Sequence, residues 1–81
     1  MPESNSSVER PPVVARLKAA LALQGLTLTA WARGKGFLPP SKVWMALSGD
    51  RSYPEIITAV AAEIGEDPAD IAREIEERKV A

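Results

Sequence analysis

The stretch from Thr27 to Arg51 constrains the fold more than any other part of the chain. Apolar residues recur there at three- and four-residue intervals in two runs, Leu28-Trp31-Ala32 and Val43-Ala46-Leu47. Gly34, Gly36 and the pair Pro39-Pro40 separate the runs. The spacing predicts two short amphipathic helices joined by a glycine-containing turn. Ala32 is small enough for a second helix to cross closely, Gly36 suits the turn, and Val43 and Leu47 are placed to bury. This is the pattern of a helix-turn-helix. A bare αα-hairpin with no ligand fits it equally well.

The whole chain has 81 residues, enough for one domain with a single small core. It has no Cys, so a disulfide framework and a thiolate metal site are both excluded, and a reducing compartment is expected. It has no His either, which leaves metal binding and acid–base chemistry to carboxylates and Lys alone. No apolar run approaches a membrane span, and the opening M-P-E-S-N-S-S is not a signal peptide. A cytoplasmic protein is expected, without cofactor, metal, membrane or small-molecule ligand.

The net charge of −1 is unevenly distributed. Glu3 and Glu9 precede a block in which Arg10, Arg16, Lys18, Arg33, Lys35, Lys42 and Arg51 face Asp50 alone, a net +6 over residues 10–51. Residues 52–81 carry eight acids against Arg73, Arg78 and Lys79, a net −5. A basic block over the helix pair and an acidic remainder is the asymmetry expected when one side of a protein meets phosphates. Seven solvated surface cations would look the same.

In chain order, residues 1–11 are polar and aperiodic and predict a loose N-terminal arm, with the domain at 12–81. Helices are expected near 12–24, 28–35, 40–48, 53–64 and 68–78, an all-α, compact five-helix domain. Val13, Leu17, Ala20, Leu21 and Gln24 share one face of the first, and Arg16 and Lys18 point outward. Gly25 lies where a left-handed cap is expected. Thr27 is a candidate N-cap, and Trp31 needs a partner for its indole N–H if buried. Pro40 is the expected first residue of the third helix. Ser52 is a candidate N-cap for the fourth helix and Asp67 for the fifth. Ile56, Ile57, Val60, Ala61 and Ile64 form the core stripe of the fourth helix. Ile71 and Ile75 are a candidate seam between two copies, unless they pack on the first helix.

With Val43, Ala46 and Leu47 buried, the third helix leaves Ser41, Lys42, Trp44, Met45 and Ser48 facing out. An exposed Trp and Met on a short helix call for a partner. Duplex DNA is one, because apolar groups meet thymine methyls and Lys donates to guanine O6 and N7. Arg16, Arg33, Lys35 and Arg51 then fall on elements where phosphates are the natural partners. The alternative is a helical protein-interaction module or antitoxin that uses the Trp44/Met45 surface. An enzyme is not expected: Asp67 and Asp70 read as a cap, and no nucleophile–base pair is visible.

Three segments together resemble a family. They are L-x-L-x-G-L-T-L-T-A-W-A-R-G-K-G-F, P-S-K-V-W-M-A-L-S-G-D-R-S-Y-P-E-I-I and A-x-x-I-G-E-D-P-A-D-I, over residues 13–71. The chain resembles the small phage and prophage regulators related to the Ner protein of phage Mu. It is more distantly similar to the lambda-repressor/Cro superfamily. The resemblance implies a sequence-specific transcriptional regulator, a repressor of phage promoters acting on double-stranded DNA in the nucleoid of a bacterial host. It implies that the third helix enters the major groove, with Ser41, Lys42, Trp44, Met45 and Ser48 as base contacts and Arg33, Lys35 and Arg51 as phosphate contacts. A homodimer is expected, because two half-sites multiply specificity. The chain departs from the family in three ways: a turn one residue longer, at Leu38 or Pro39; Ser48 and Asp50 where basic or polar readers are more usual; and a longer acidic tail after Ile71.

Overall fold

The computed structural model describes residues 11–80, with side chains through Arg78. Five α-helices follow one another: α1 Val13–Ala22, α2 Leu28–Lys35, α3 Ser41–Ser48, α4 Pro54–Ile64 and α5 Pro68–Val80. No strand occurs among the described residues. The expected N-terminal arm lies, apart from Pro11, outside them.

Each helix is too short to be stable alone, so tertiary burial holds the set together. Fourteen hydrophobic residues form one cluster, and no polar or charged side chain is buried among the described residues. Leu17 and Leu21 of α1, Val43 of α3, Ile56 and Val60 of α4 and Ile71 of α5 are at or near zero exposure. α1 is the shared neighbour on which α2, α3 and α4 pack, while α5 lies against α4 and α3. The expected stripes of α2 and α3 are buried as such. In α4, Ile57 and Ile64 are only half-buried. In α1, Ala20 is half-buried and Gln24 exposed.

One device follows each of the first four helices: directly after α2, α3 and α4, and after two intervening residues in α1, which ends at Ala22 and not at the expected Gln24. Gly25, Gly36, Gly49 and Gly65 all have positive φ, and the N–H after each bonds back to the carbonyl five residues earlier. This is the Schellman arrangement, which satisfies carbonyls that the helix end leaves free. At Gly36 the accompanying apolar contact is also present. Phe37 meets Trp31 edge-to-face, with ring centroids 5.8 Å apart. Gly36 has φ +83, whereas Gly34 lies within α2. A Cβ would meet nothing within 4 Å at either site, so backbone preference alone separates them. Gly36→Ala should therefore lower stability by about 1 kcal/mol, and Gly34→Ala should raise it by up to about 1 kcal/mol. Thermal melts of the two variants check this; the reverse order would mean that α2 ends earlier.

The helix starts differ more from expectation. Thr27 Oγ1 accepts from Ala30 N at 3.1 Å, and Asp67 Oδ1 accepts from Ala69 N at 2.8 Å, so both expected caps form. Ser52 does not cap α4. Tyr53 occupies that position, with φ −133, ψ 80 and no side-chain hydrogen bond. Pro54 supplies the cause: it sits at the first helical position and keeps the preceding residue out of the α region, which leaves Ser52 one residue too early. Pro40 has helical dihedrals but stands just before α3, whose first residue is Ser41.

Ile71 and Ile75 are 0% and 6% exposed within a single chain. They are part of the core and are not free to form a seam between copies. The 3.6-residue pattern of α5 cannot distinguish an apolar pair that covers its own domain from one that covers a neighbour.

Candidate nucleic-acid interface

The outward side of α3 carries the residues that the sequence pattern singles out as a candidate binding surface. At about 100° per residue, Val43 defines the buried direction. Ser41 and Met45, two residues to either side of it, point almost directly away. Lys42 and Trp44, one residue to either side, point sideways in opposite senses. Ser41, Trp44 and Ser48 are exposed, and Lys42 and Met45 are half-buried. The hydroxyl of Ser48 turns back on the chain: it donates to Met45 O at 3.1 Å and lies 3.4 Å from Asp50 N.

The two sideways residues each meet a residue from another helix or its approach. Trp44, 40% exposed, lies under Lys18 of α1, with Nζ 5.9 Å from the ring centroid. Lys42 lies over the ring of Tyr53, just before α4, at 5.6 Å. Both separations are within cation–π range. Sequence spacing had left Lys18 merely outward-facing; its approach to Trp44 depends on how α1 crosses α3.

Arg16 is not an outward cation. Its Nε and Nη2 donate to Glu66 Oε2 and Oε1, each at 3.0 Å. Its Nη1 and Nη2 donate to Glu74 Oε2 and Oε1 at 3.1 and 2.9 Å. Nη1 also donates to Pro11 O at 2.7 Å. All five N–H donors of the guanidinium are thereby used, so none is left for a phosphate. The side chain is only 12% exposed, and hydrogen bonding to Glu74 is the leading reason that its pKa rises. A basic residue on an apparently polar helix position looked like surface; two acids far along the chain make it a clamp between α1 and α5.

Arg33, Lys35 and Arg51 are exposed, and none has a carboxylate within ion-pair distance among the described residues. Lys35 is nevertheless close enough to Glu63 to act on it. Glu63 accepts from Gln24 Nε2 and, at 3.0 Å, from the indole Nε1 of Trp31. Its carboxyl is held below the usual range, first by the Gln24 hydrogen bond, then by Trp31, with the field of Lys35 adding a smaller part. A depressed carboxylate stabilises the fold above its unfolded pKa, and that stabilisation is lost as pH falls through the folded pKa. Glu63→Gln should therefore lower the melting temperature at pH 7, and the gap to the parent should close as pH drops below the carboxylate range. A gap that is unchanged by acid would show that the charge is not what matters.

An open concavity of about 590 Å³ lies between the connection 49–53, α4 and α5, and is lined by Tyr53, Ile57, Ala72, Ile75 and Glu76 among others. Among the described residues no cluster of three or more His, Cys, Asp or Glu is placed to hold a metal. No described helix is long and apolar enough to cross a membrane.

Comparison of the chain with protein-family models, curated proteins and solved structures finds no match.

Proposed function

We propose that this protein is a sequence-specific double-stranded DNA-binding regulator of the helix-turn-helix kind, reading the major groove with α3. One observation carries the reading. The outward side of α3 presents Ser41, Lys42, Trp44, Met45 and Ser48, which the core does not need, beside exposed cations that no described carboxylate neutralises. Arg33 and Arg51 are the leading phosphate contacts; Lys35 shares its charge with Glu63, and Arg16 drops out of the set. By contrast, every described acid except Asp50 lies on α4, on α5 or between them, away in sequence from the basic helices. Phosphate neutralisation by exposed Lys and Arg supplies the sequence-independent part of binding, and an outward helix face supplies base contacts. Two copies on adjacent half-sites would multiply specificity, through a surface other than Ile71 and Ile75.

Salt dependence tests this. With the three remaining phosphate contacts, affinity for duplex DNA should fall by about fortyfold between 50 and 200 mM salt. Arg33→Ala and Arg51→Ala should each flatten that slope by about one unit. Absence of duplex binding, or binding that ignores salt, would refute the reading and favour a protein partner on the Trp44/Met45 surface.

A further inference from the structure

The outward side of α3 is bracketed by two cation–aromatic couples, Lys18 with Trp44 and Lys42 with Tyr53. They lie on opposite flanks of the helix. Lys42 and Trp44 are each displaced by about 80° from the outward direction, in opposite senses, because each is one residue from the buried Val43. One couple joins α3 to α1, and the other joins α3 to the approach to α4. Between them stand the exposed Ser41 and the half-buried Met45, each about 20° from the outward direction.

A helix with its side chains is about 10–12 Å across, and the major groove is about 12 Å wide. A helix seated there turns its outward residues to the base edges and its two flanks to the groove walls, which are the two sugar-phosphate backbones. We propose that the Lys18/Trp44 and Lys42/Tyr53 couples are the two backbone anchors of this protein, one for each DNA strand, and that Ser41 and Met45 read the bases between them. The proposal rests on the DNA-binding reading above and changes its assignment of roles: Lys42 and Trp44 become anchors, and Lys18 enters the interface. The aromatic ring beneath each ammonium has a physical task. It restricts a long flexible side chain on the free protein, so less freedom is lost when a phosphate is met.

The test uses the full chain and two probes: duplex fragments enriched from random DNA by the parent protein, and an unselected duplex pool of equal length. Lys18→Ala and Lys42→Ala should each weaken binding to both probes by the same factor, and each should flatten the salt slope by about one unit. Lys18→Arg and Lys42→Arg should keep the slope, since any cation serves a phosphate. Ser41→Ala and Met45→Ala should leave the slope alone and shrink the preference for the enriched fragments. Melts confirm that each variant is folded under the binding conditions. If Lys42→Ala loses only the preference, or Lys18→Ala changes nothing while the parent binds with a steep salt slope, the anchor assignment is wrong and the DNA reading stands. A parent that binds duplex with no preference at all overturns the division into anchors and readers. A parent that binds no duplex ends both.

Discussion

Ile71→Ala will destabilise the isolated chain by about 2–5 kcal/mol, the range for truncating a fully buried aliphatic residue. Ile71 is completely inaccessible, and the helix that carries it packs on both α4 and α3. Shortening it removes buried methyl groups and leaves a cavity that these helices cannot all close at once. For a small domain, whose total stability is on the order of 5–15 kcal/mol, that is a large share. The loss should be independent of protein concentration over a wide range. A residue in a seam between copies behaves otherwise, because association contributes to stability by mass action and the melt then moves with concentration. Leu23→Ala is the control: Leu23 is 90% exposed, so its truncation should cost little. A melting temperature of Ile71→Ala equal to the parent's, or a loss that appears only at high concentration, would contradict the packing of α5.

Arg16→Ala should cost about 2–3 kcal/mol. Breaking a buried ion pair by removing one partner costs about 3–5 kcal/mol, and this cluster is reduced from that range because Glu66 and Glu74 are 24% and 21% exposed. The loss comes from the fork of hydrogen bonds that Arg16 gives to two partly buried carboxylates, together with their attraction to its charge. Arg16→Lys should recover little of it. An ammonium has three donors and no planar fork, so it cannot serve two carboxylates side by side and Pro11 O as well. Glu74→Gln should cost less than Arg16→Ala, since Arg16 keeps Glu66. Denaturant titrations of the three variants give the order. The same variants separate a clamp from a phosphate contact. While folded, Arg16→Lys should bind duplex DNA with the parent's salt slope. A slope that falls by about one unit in folded Arg16→Ala would return Arg16 to the interface.

The stability and binding effects differ in how far local pattern could anticipate them. The stripes Leu28-Trp31-Ala32 and Val43-Ala46-Leu47 were legible because burial on a short helix follows a fixed period. Thr27, Asp67 and the glycine stops were legible because caps and left-handed turns are chemistry within a few residues. Ser52 was misplaced by one residue because two local signals competed, and the proline's steric demand outweighed the hydroxyl's hydrogen bond. The need of Trp31 for a partner was legible; that Glu63 supplies it, with Gln24 on the same carboxylate, was not. Those residues are 32 and 39 positions from Glu63, and no local rule links them.

The sequence by itself determined that the described chain is helical, where its helices begin and end to within about two residues, and which face of each is apolar. These depend on backbone preference and on side-chain period, both of which act within a turn or two of helix. Tertiary structure alone decided what each outward charge does. Arg16 and Lys18 are two residues apart on one helix and carry the same charge, and local pattern treats them alike. In the fold Arg16 is used up between Glu66 and Glu74, while Lys18 rests on Trp44 at the candidate interface. Tertiary structure also decided that Ile71 and Ile75 close this domain's own core. A side chain's period says that it will be covered; only the packing of distant helices says by what.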